Sequence, residues 1–266
     1  MMLWSQSPGT ATGIVLLGAL TLVAVCGRWM APTDPFAVTG PALASPSQAH
    51  PFGTDDLGRD VMSGVVHGAG MSLRVGFTAA ACSTLIGLVI GAVAGVRAGV
   101  IDHGLMRATE FVQAIPRFFL VVLVVSLFGG RLWLIVLVIA LTAWPTTARV
   151  FRAQVLSTLG KDFVLAARAA GSGDAAILIR HVLPVTIAVV AAQVSYQAGG
   201  AILAEAGLSF LGLGDPTVMS WGTLLGAAHH SVREAWWIAV FPGLAITFTV
   251  LACNLLADGL LRRADD

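Results

Sequence analysis

Residues 163–185 read FVLAARAAGSGDAAILIRHVLPV, a polar, arginine-bearing insert between two strongly apolar stretches. The run up to Ala170 consists of good helix formers, and two glycines then interrupt it. Asp174 is placed to cap a second helix that runs to Val182. Pro184 then opens the next apolar helix, where its missing N–H costs nothing. The insert therefore predicts a helix–turn–helix that projects from a set of apolar helices.

The composition indicates a membrane protein. Hydrophobic residues make up 57% of the 266 residues, charged residues only 11%, and the mean hydropathy is +0.87. A soluble domain carries about 25% charged residues, so this chain cannot build an ordinary water-exposed surface. The formal net charge is +1, which gives no argument for a nucleic-acid partner.

Six long apolar runs each approach the ~20 residues that cross a bilayer core. They cover approximately residues 13–31, 75–96, 111–128, 132–148, 185–211 and 235–257. No Lys or Arg precedes Arg28, so the first run lacks the basic region of a signal peptide and is expected to be an uncleaved anchor. Pro116 and Pro145 lie inside two runs and predict kinks. The expected fold class is all-α, a polytopic membrane protein with six transmembrane helices.

The distribution of basic residues predicts the orientation of the spans. With the N-terminus inside, the cytoplasmic side holds Arg97, Arg107, Arg149, Arg152, Lys161, Arg168, Arg180, Arg262 and Arg263, and the outside holds Arg28, Arg59, Arg74, Arg131 and Arg233. Arg117, inside the third run, stays unassigned. The densest basic cluster is 149–180, so both termini and the loop 149–184 are expected in the cytoplasm.

The sequence lacks the common catalytic motifs. A phosphate-binding loop needs Gly-Lys-Ser/Thr, and the one lysine, Lys161, is followed by Asp162. No HExxH or GxSxG occurs. Adjacent residues do not share a helix face, so His229 and His230 are expected to be a solvated loop pair rather than metal ligands. We therefore expect no enzyme activity, no cofactor and no metal site.

The insert resembles the EAA loop of ABC-importer permeases, in the frame Leu165-Ala166-Ala167, Gly171 and Leu183-Pro184. In that family the loop docks on an ATPase subunit. The resemblance implies a coupling loop made of Leu165, Ala166, Ala167, Arg168, Gly171, Asp174, Arg180, His181, Leu183 and Pro184. One departure is that Leu165 stands where the family has an acidic residue. Taken alone, the loop is equally consistent with an amphipathic segment lying on the membrane surface.

Two further segments extend the resemblance. Residues 50–60, HPFGTDDLGRD, resemble the GTD-x-x-GRD segment of dipeptide/oligopeptide and nickel permeases. Residues 205–214, EAGLSFLGLG, followed by SWG at 220–222, are similar to the LSFLGLG…SWG stretch of the same family. The three segments occur in the family's order, from about residue 50 to 260.

The resemblance implies a type I ABC-importer permease fold. Residues 1–71 would form an N-terminal anchor and extracytoplasmic loop, and 72–266 the transmembrane domain with its coupling loop. The implied protein is a bacterial inner-membrane permease that pairs with a second permease in a heterodimer. Two ATP-binding subunits and an extracytoplasmic substrate-binding protein would complete the importer, with peptides as substrate and the lipid bilayer as surroundings.

Alternatives to a peptide permease remain open at this stage. Nickel or another small solute is possible, because nickel permeases share these motifs. An intramembrane enzyme would need a catalytic pair inside the spans, but no histidine lies well inside a predicted span and the acids differ in depth. A proton-coupled transporter acting alone would need several intramembrane carboxylates and an internal repeat.

The outer loop, residues 32–71, has a structural and a functional interpretation. Asp55 or Asp56 is expected to cap a short interfacial helix that contains Val61, and Arg59 and Asp60 are expected to be solvated charges. The functional alternative is a docking surface for the binding protein.

Glu205 is the acidic residue deepest in a predicted apolar run. It is expected roughly 30 Å from Pro184 at 1.5 Å per residue, toward the outer end of its span. It could reach interfacial water there and be structural. A buried carboxylate in a membrane usually faces a cavity, a partner or the pathway, so lining the translocation path or supporting an outer gate are the functional alternatives.

Overall fold

The computed structural model describes residues 8–31, 33–97, 99–229 and 231–265. His230 and the side chains of Arg28 and Arg263, which the sequence analysis names, lie outside the described residues. The described ranges fold as helices, joined mostly by short loops and, between Met30 and Val61, by one long loop. Within these ranges isolated β-bridges occur only at Val38–Arg59 and Thr54–Asp60.

Ten α-helices follow one another in the described chain. They are α1 Pro8–Met30, α2 Val61–Val96, α3 Val100–Ala114, α4 Arg117–Phe128, α5 Leu132–Leu159, α6 Asp162–Ala169, α7 Asp174–Ile177, α8 Leu183–Phe210, α9 Trp221–Ala228 and α10 Trp237–Asp265. A π-helical turn, Leu178–Val182, joins α7 to α8.

Five helical segments are long and apolar enough to cross a membrane: α1, α2, α5, α10 and the stretch from α7 through α8. The pair α3 and α4 passes the same test as one broken span, bent by 73°. The all-α fold with six membrane segments is therefore confirmed when this bent pair counts as the sixth.

The prediction that residues 111–128 form one continuous helix is wrong, because α3 ends and α4 begins within this run. Proline disfavours the helical conformation of the residue before it, and Ile115 accordingly has an extended backbone with φ −84° and ψ 126°. The chain breaks at Pro116, whereas a kink was expected. At Pro145, by contrast, α5 continues as a single 28-residue helix.

The helix α2 is longer than expected and forms the centre of the bundle against α5 and α8. It begins at Val61, well before residue 75, and runs for 36 residues. A Cβ on Gly91 would lie 2.6 Å from the carbonyl oxygen of Ala148, so the backbones of α2 and α5 touch there. This close approach is the role that small residues play between membrane helices.

The prediction of a short interfacial helix capped by Asp55 or Asp56 is also wrong, because Val61 is the first residue of the long helix α2. Asp60 caps α2, because its Oδ2 accepts a hydrogen bond from the Ser63 amide at 2.7 Å. Its Oδ1 lies 3.1 Å from Nδ1 of His50. Asp60 is therefore a bonded structural group rather than the solvated charge that was expected.

Asp55 closes a turn inside the outer loop. Its Oδ1 accepts hydrogen bonds from the amides of Leu57 and Arg59 at 2.9 and 2.8 Å. Burial raises the pKa of the Asp55 carboxyl, and this effect outweighs the hydrogen bonds from the two amides, which lower the pKa. The Arg59 guanidinium lies 5.7 Å above the ring of Phe36. Arg59 is therefore also engaged in the loop, and the expectation that it is solvated is wrong.

Candidate coupling loop and outer gate

A glycine turn separates the two helices of the loop 161–184. Gly171 has φ +89°, a left-handed conformation that glycine adopts without strain. The Ser172 amide donates to the carbonyl oxygen of Ala167 at 3.0 Å, and the Gly171 amide donates to that of Arg168 at 2.9 Å. This pair of bonds is the Schellman motif that ends a helix. The predicted helix break is thus present and has a defined geometry.

One face of the loop is packed against the membrane helices. Val164, Ile177 and Val182 are fully buried and pack with Phe151 and Val155 of α5. Burying a side chain of this size contributes about 1.5–3 kcal/mol. A movement of the loop would therefore move the C-terminal half of α5 with it.

The opposite face of the loop is exposed and mixed in character. Phe163, Leu165 and Ile179 are 44%, 51% and 65% exposed. Lys161, Arg168 and Arg180 are exposed on the same loop, as are Asp162 and Asp174. The ring of Phe163 lies 6.1 Å from that of the half-buried His181. Large apolar side chains exposed among charged ones are typical of a surface that contacts another protein.

Asp174 does not cap the second helix, contrary to the expectation. The cap is Gly173, which has no side chain to accept a bond, and Asp174 is the first helical residue. Its carboxylate lies 3.5 Å from Nη2 of Arg168, across the turn. Both side chains are about half exposed, so this ion pair contributes at most about 1 kcal/mol. A negative charge in the first turn also favours the helix dipole.

The second helix does not end at Val182. A π-helical turn carries it directly into α8, and Pro184 is the second residue of that helix. The Leu183 amide donates to the carbonyl oxygen of Leu178, one residue farther back than in an α-helix. The turn accommodates the proline without a break, so loop and span form one rod.

A bidentate ion pair fixes α3 to α5 close to the loop. Nε and Nη2 of Arg152 donate to the two carboxylate oxygens of Asp102 at 2.5 and 2.6 Å. Such paired charge-assisted bonds are among the strongest side-chain contacts. They connect the broken span to the helix on which the loop rests. The sequence analysis missed this pair, because residues 50 positions apart carry no local signal.

Glu205 lies at the centre of a buried cluster between α8 and α9. Its Oε1 accepts hydrogen bonds from the hydroxyls of Ser209 and Ser220 at 2.7 and 2.8 Å. Its Oε2 is buried and has no partner among the described residues. Glu205 is only 2% exposed, so the expectation that it could reach interfacial water is wrong.

The helix α9 packs between α2 and α8, beside this cluster. Its first residue, Trp221, donates from the amide to the Ser72 hydroxyl at 3.2 Å and from Nε1 to the carbonyl oxygen of Val65 at 2.9 Å. A Cβ on Gly222 would lie 2.6 Å from Cα of Ala206, so only glycine fits against α8. Contacts made by residues 205–222 therefore hold α2, α8 and α9 together.

Asp215 joins the loop between α8 and α9 to the start of α5. Its Oδ2 accepts a hydrogen bond from the Leu132 amide at 3.1 Å, and its Oδ1 accepts from the Thr217 hydroxyl at 2.6 Å. The hydroxyl bond is the main cause that lowers the pKa of this carboxyl. The resulting stability is present above the unfolded pKa of about 3.9 and is lost as pH falls through the lower folded pKa.

Arg117 is the first residue of α4, at the bend of the broken span. Its Nε and Nη2 are buried and have no hydrogen-bond partner among the described residues. The next residue, Phe118, lies 3.2 Å from where a Cβ on Gly207 would be, so the bend approaches the outer half of α8. In the sequence, this site is marked by a proline followed by an arginine within an apolar run. The sequence analysis left the arginine unassigned.

The described residues contain no group of three or more His, Cys, Asp or Glu that could hold a metal ion. What the geometry defines is a helical membrane protein with a rigidly mounted loop at one end and a clamped short helix at the other.

Comparison with known proteins agrees with this class. The model of a family described as binding-protein-dependent transport system inner membrane component matches residues 87–266. The chain belongs to this family and is a multi-pass inner-membrane permease component of an ABC importer. Membership implies ATPase and substrate-binding partners in general.

Curated relatives cover nearly the whole chain. The di/tripeptide transport system permease protein DppC of Pseudomonas aeruginosa (strain UCBPP-PA14) is 36% identical over 265 residues, 97% of this chain and 88% of the relative. A putative peptide permease protein of Brucella suis is 37% identical over 259 residues, 96% and 86% of the two chains. A putative peptide transport system permease protein of the same species is 38% identical over 250 residues, 93% and 84%.

Proposed function

We propose that this chain forms part of the translocation pathway for peptides and is driven by ATP hydrolysis in partner subunits that dock on the loop 161–184. The observation that carries the proposal is the mounting of that loop. Val164, Ile177 and Val182 bind it to α5, while Phe163, Leu165 and Ile179 face outward. A docked ATPase can therefore push or pull on the spans directly. The peptide substrate is supported by the printed names of the relatives.

The partners of the proposed importer are a second permease, two ATP-binding subunits and an extracytoplasmic substrate-binding protein. The chain has no Gly-Lys-Ser/Thr sequence, so a nucleotide must be bound elsewhere. The family is one of transport components, so the activity that we propose for this subunit is transport rather than catalysis. The nickel alternative has no support from the relatives' names.

The proposed orientation places both termini and the loop 149–184 in the cytoplasm. It is supported by the excess of Lys and Arg at that end. The proposed division at residue 71 then separates two parts of the chain by their location. The anchor and the outer loop come before residue 71, and the permease core comes after it. The division does not separate folding units, because α2 runs across it. Impermeant thiol labelling of Ser172→Cys and Ser231→Cys in intact cells should modify only the second variant; labelling of the first would overturn the orientation.

Two sites are proposed to serve the pathway. Discontinuous membrane helices often form substrate sites, and an intramembrane charge usually marks a pathway or a partner. Arg117, whose Nε and Nη2 have no hydrogen-bond partner among the described residues, is proposed to attract the terminal carboxylate of a peptide at the bend of α3 and α4. Glu205 is proposed to support an outer gate by holding α9 against α8.

The transport function is tested with the complete importer in proteoliposomes. Labelled dipeptide should accumulate only when ATP and the binding protein are both supplied. Labelled Ni²⁺ offered under the same conditions should not accumulate. Uptake of Ni²⁺ without dipeptide uptake would replace the peptide assignment, and dipeptide uptake without ATP would contradict the importer itself.

A further inference from the structure

A crevice separates α1 from the rest of the bundle, and it has a polar and an apolar part. The polar part, a cavity of about 630 Å³, lies between α1 and the first half of α2. The apolar part, about 650 Å³, lies between α1, α8 and α10. Thr21 and Val25 of α1 line both parts, so the two adjoin the same stretch of α1.

Two side chains give the polar part a basic character. Nη2 of Arg74 lies 3.5 Å from where a Cβ on Gly70 would be, and the carbonyl oxygen of Ala24 is equally near that point, at 3.6 Å. The absent side chain of Gly70 thus leaves room for the guanidinium between α1 and α2. Arg74 has no acidic partner among the described residues.

His67 lines the same cavity, one helical turn from Gly70. Its Nδ1 contacts the carbonyl oxygen of Ser63 at 2.9 Å, which requires a proton on that nitrogen. The bond fixes the ring, and in a neutral ring with its proton on Nδ1 the other nitrogen, Nε2, accepts a hydrogen bond. Nε2 is therefore suited to a hydroxyl donor in the cavity. The guanidinium of Arg74 is displaced toward the same end of α2, as expected for a long basic side chain that reaches from a membrane helix to the interface.

The apolar part continues away from this basic end. It is lined mainly by aliphatic side chains, including Ile14, Leu17, Leu22 and Leu256. From Gly27 to Ile14 the crevice follows α1 for 13 residues, or roughly 20 Å. The crevice therefore runs along most of Gly9–Gly27, the segment of α1 that is long enough to cross a membrane. Half of a bilayer's hydrocarbon core is about 15 Å, so an acyl chain that starts at the basic end fits within this length.

We propose that this crevice is a binding site for one anionic phospholipid, with its phosphate at Arg74, a headgroup hydroxyl at Nε2 of His67 and an acyl chain along α1. The charge at one end favours an anionic lipid over an apolar helix of a partner, which would leave the guanidinium of Arg74 without a counter-charge. The lipid belongs to the leaflet on the side of the outer loop. It fills the gap that would otherwise leave α1 attached only through α10 and part of α2. The inference does not depend on which substrate is transported.

The site is tested by native mass spectrometry of the purified importer titrated with phosphatidylglycerol. Arg74→Gln should weaken retention of one lipid by about tenfold, the effect of losing one charge-assisted contact. Gly18→Leu should weaken it as well, because a Cβ on Gly18 meets nothing within 4 Å and the added side chain enters the apolar part. Arg233→Gln, an exposed arginine remote from the crevice, is the matched control and should retain the lipid.

Three further outcomes decide between occupants. Phosphatidylcholine and inorganic phosphate should compete weakly, because the first lacks net negative charge and the second lacks an acyl chain. Equal binding of phosphatidylcholine, or undiminished retention of phosphatidylglycerol in both variants, would overturn the proposal. So would a cross-link from Gly18→Cys to the second permease, because a protein helix would then occupy the crevice.

Discussion

Oε1 of Glu205 accepts a hydrogen bond from the hydroxyl of Ser220 at 2.8 Å, and this bond joins the outer part of α8 to the start of α9. Both residues are buried, at 2% and 1% exposure. Ser220 also caps α9, with its hydroxyl oxygen accepting from the Thr223 amide. A single carboxylate oxygen therefore holds the start of the short helix α9 against α8.

The first prediction concerns the polarity of this carboxylate. Glu205→Gln keeps a carbonyl oxygen that can accept from both serines, so transport should stay near the wild-type rate. Glu205→Leu leaves buried hydroxyls without their acceptor, at a cost of about 1–3 kcal/mol. We expect α9 to loosen, with a loss of uptake and faster amide exchange over 221–228. Wild-type uptake and exchange in both variants would show that Glu205 does not control a gate.

The second prediction concerns the turn at Gly171. A Cβ there meets nothing within 4 Å, so bulk alone is tolerated. Its φ of +89° imposes about 1–2 kcal/mol of strain on an ordinary residue. Gly171→Leu should reduce substrate-stimulated ATP hydrolysis while the protein still inserts. Gly171→Asn is the control, because asparagine tolerates this conformation better. Normal transport and ATPase binding by Gly171→Leu would show that docking does not need this turn.

The third prediction concerns Leu165, which replaces the acidic residue of related permeases. Its side chain is 51% exposed, so an added charge would remain solvated. Leu165→Glu should change coupling little, since an exposed ion pair is worth about 0–1 kcal/mol. We expect the second permease to keep the acidic residue and to carry more of the coupling. Collapse of ATP hydrolysis in Leu165→Glu alone would instead mean that Leu165 fills an apolar pocket on the ATPase.

The fourth prediction concerns Arg117 and the substrate carboxylate. Arg117→Gln should raise the KM for dipeptide more than it lowers kcat, and Arg117→Lys should restore part of the loss. Peptides with an amidated C-terminus should be transported equally by the parent and by Arg117→Gln. A uniform loss for free and amidated peptides would assign Arg117 a purely structural role at the bend.

The positions of most spans follow from hydropathy, because a 20-residue apolar run has few alternatives to crossing the membrane. The start of α2 does not follow, since Ser63, His67 and Arg74 lower the hydropathy of a segment that is nevertheless helical. That segment is stabilised by α9, through contacts such as Trp221 with Val65. Such pairings depend on tertiary packing, which local patterns do not encode.

The candidate site could likewise be predicted only in part from the sequence, because some of its features have local signals and others depend on packing. Gly171 could be placed at a turn, because glycine between helix formers is a local signal. The cap at Asp174 was wrong, since the choice between Gly173 and Asp174 depends on the backbone at a single residue. The bonds of Glu205 to Ser220 and of Arg152 to Asp102 span 15 and 50 positions, so only the fold reveals them.

The central claim is that the loop 161–184 docks on an ATPase subunit, and photocross-linking tests it most directly. A photoreactive amino acid would replace Leu165 in the assembled importer, and the same probe at Val38, 69% exposed in the outer loop, would serve as the control. The account predicts an adduct with an ATPase subunit from position 165 and none from position 38. An adduct with the ATPase from position 38, with none from position 165, would contradict it.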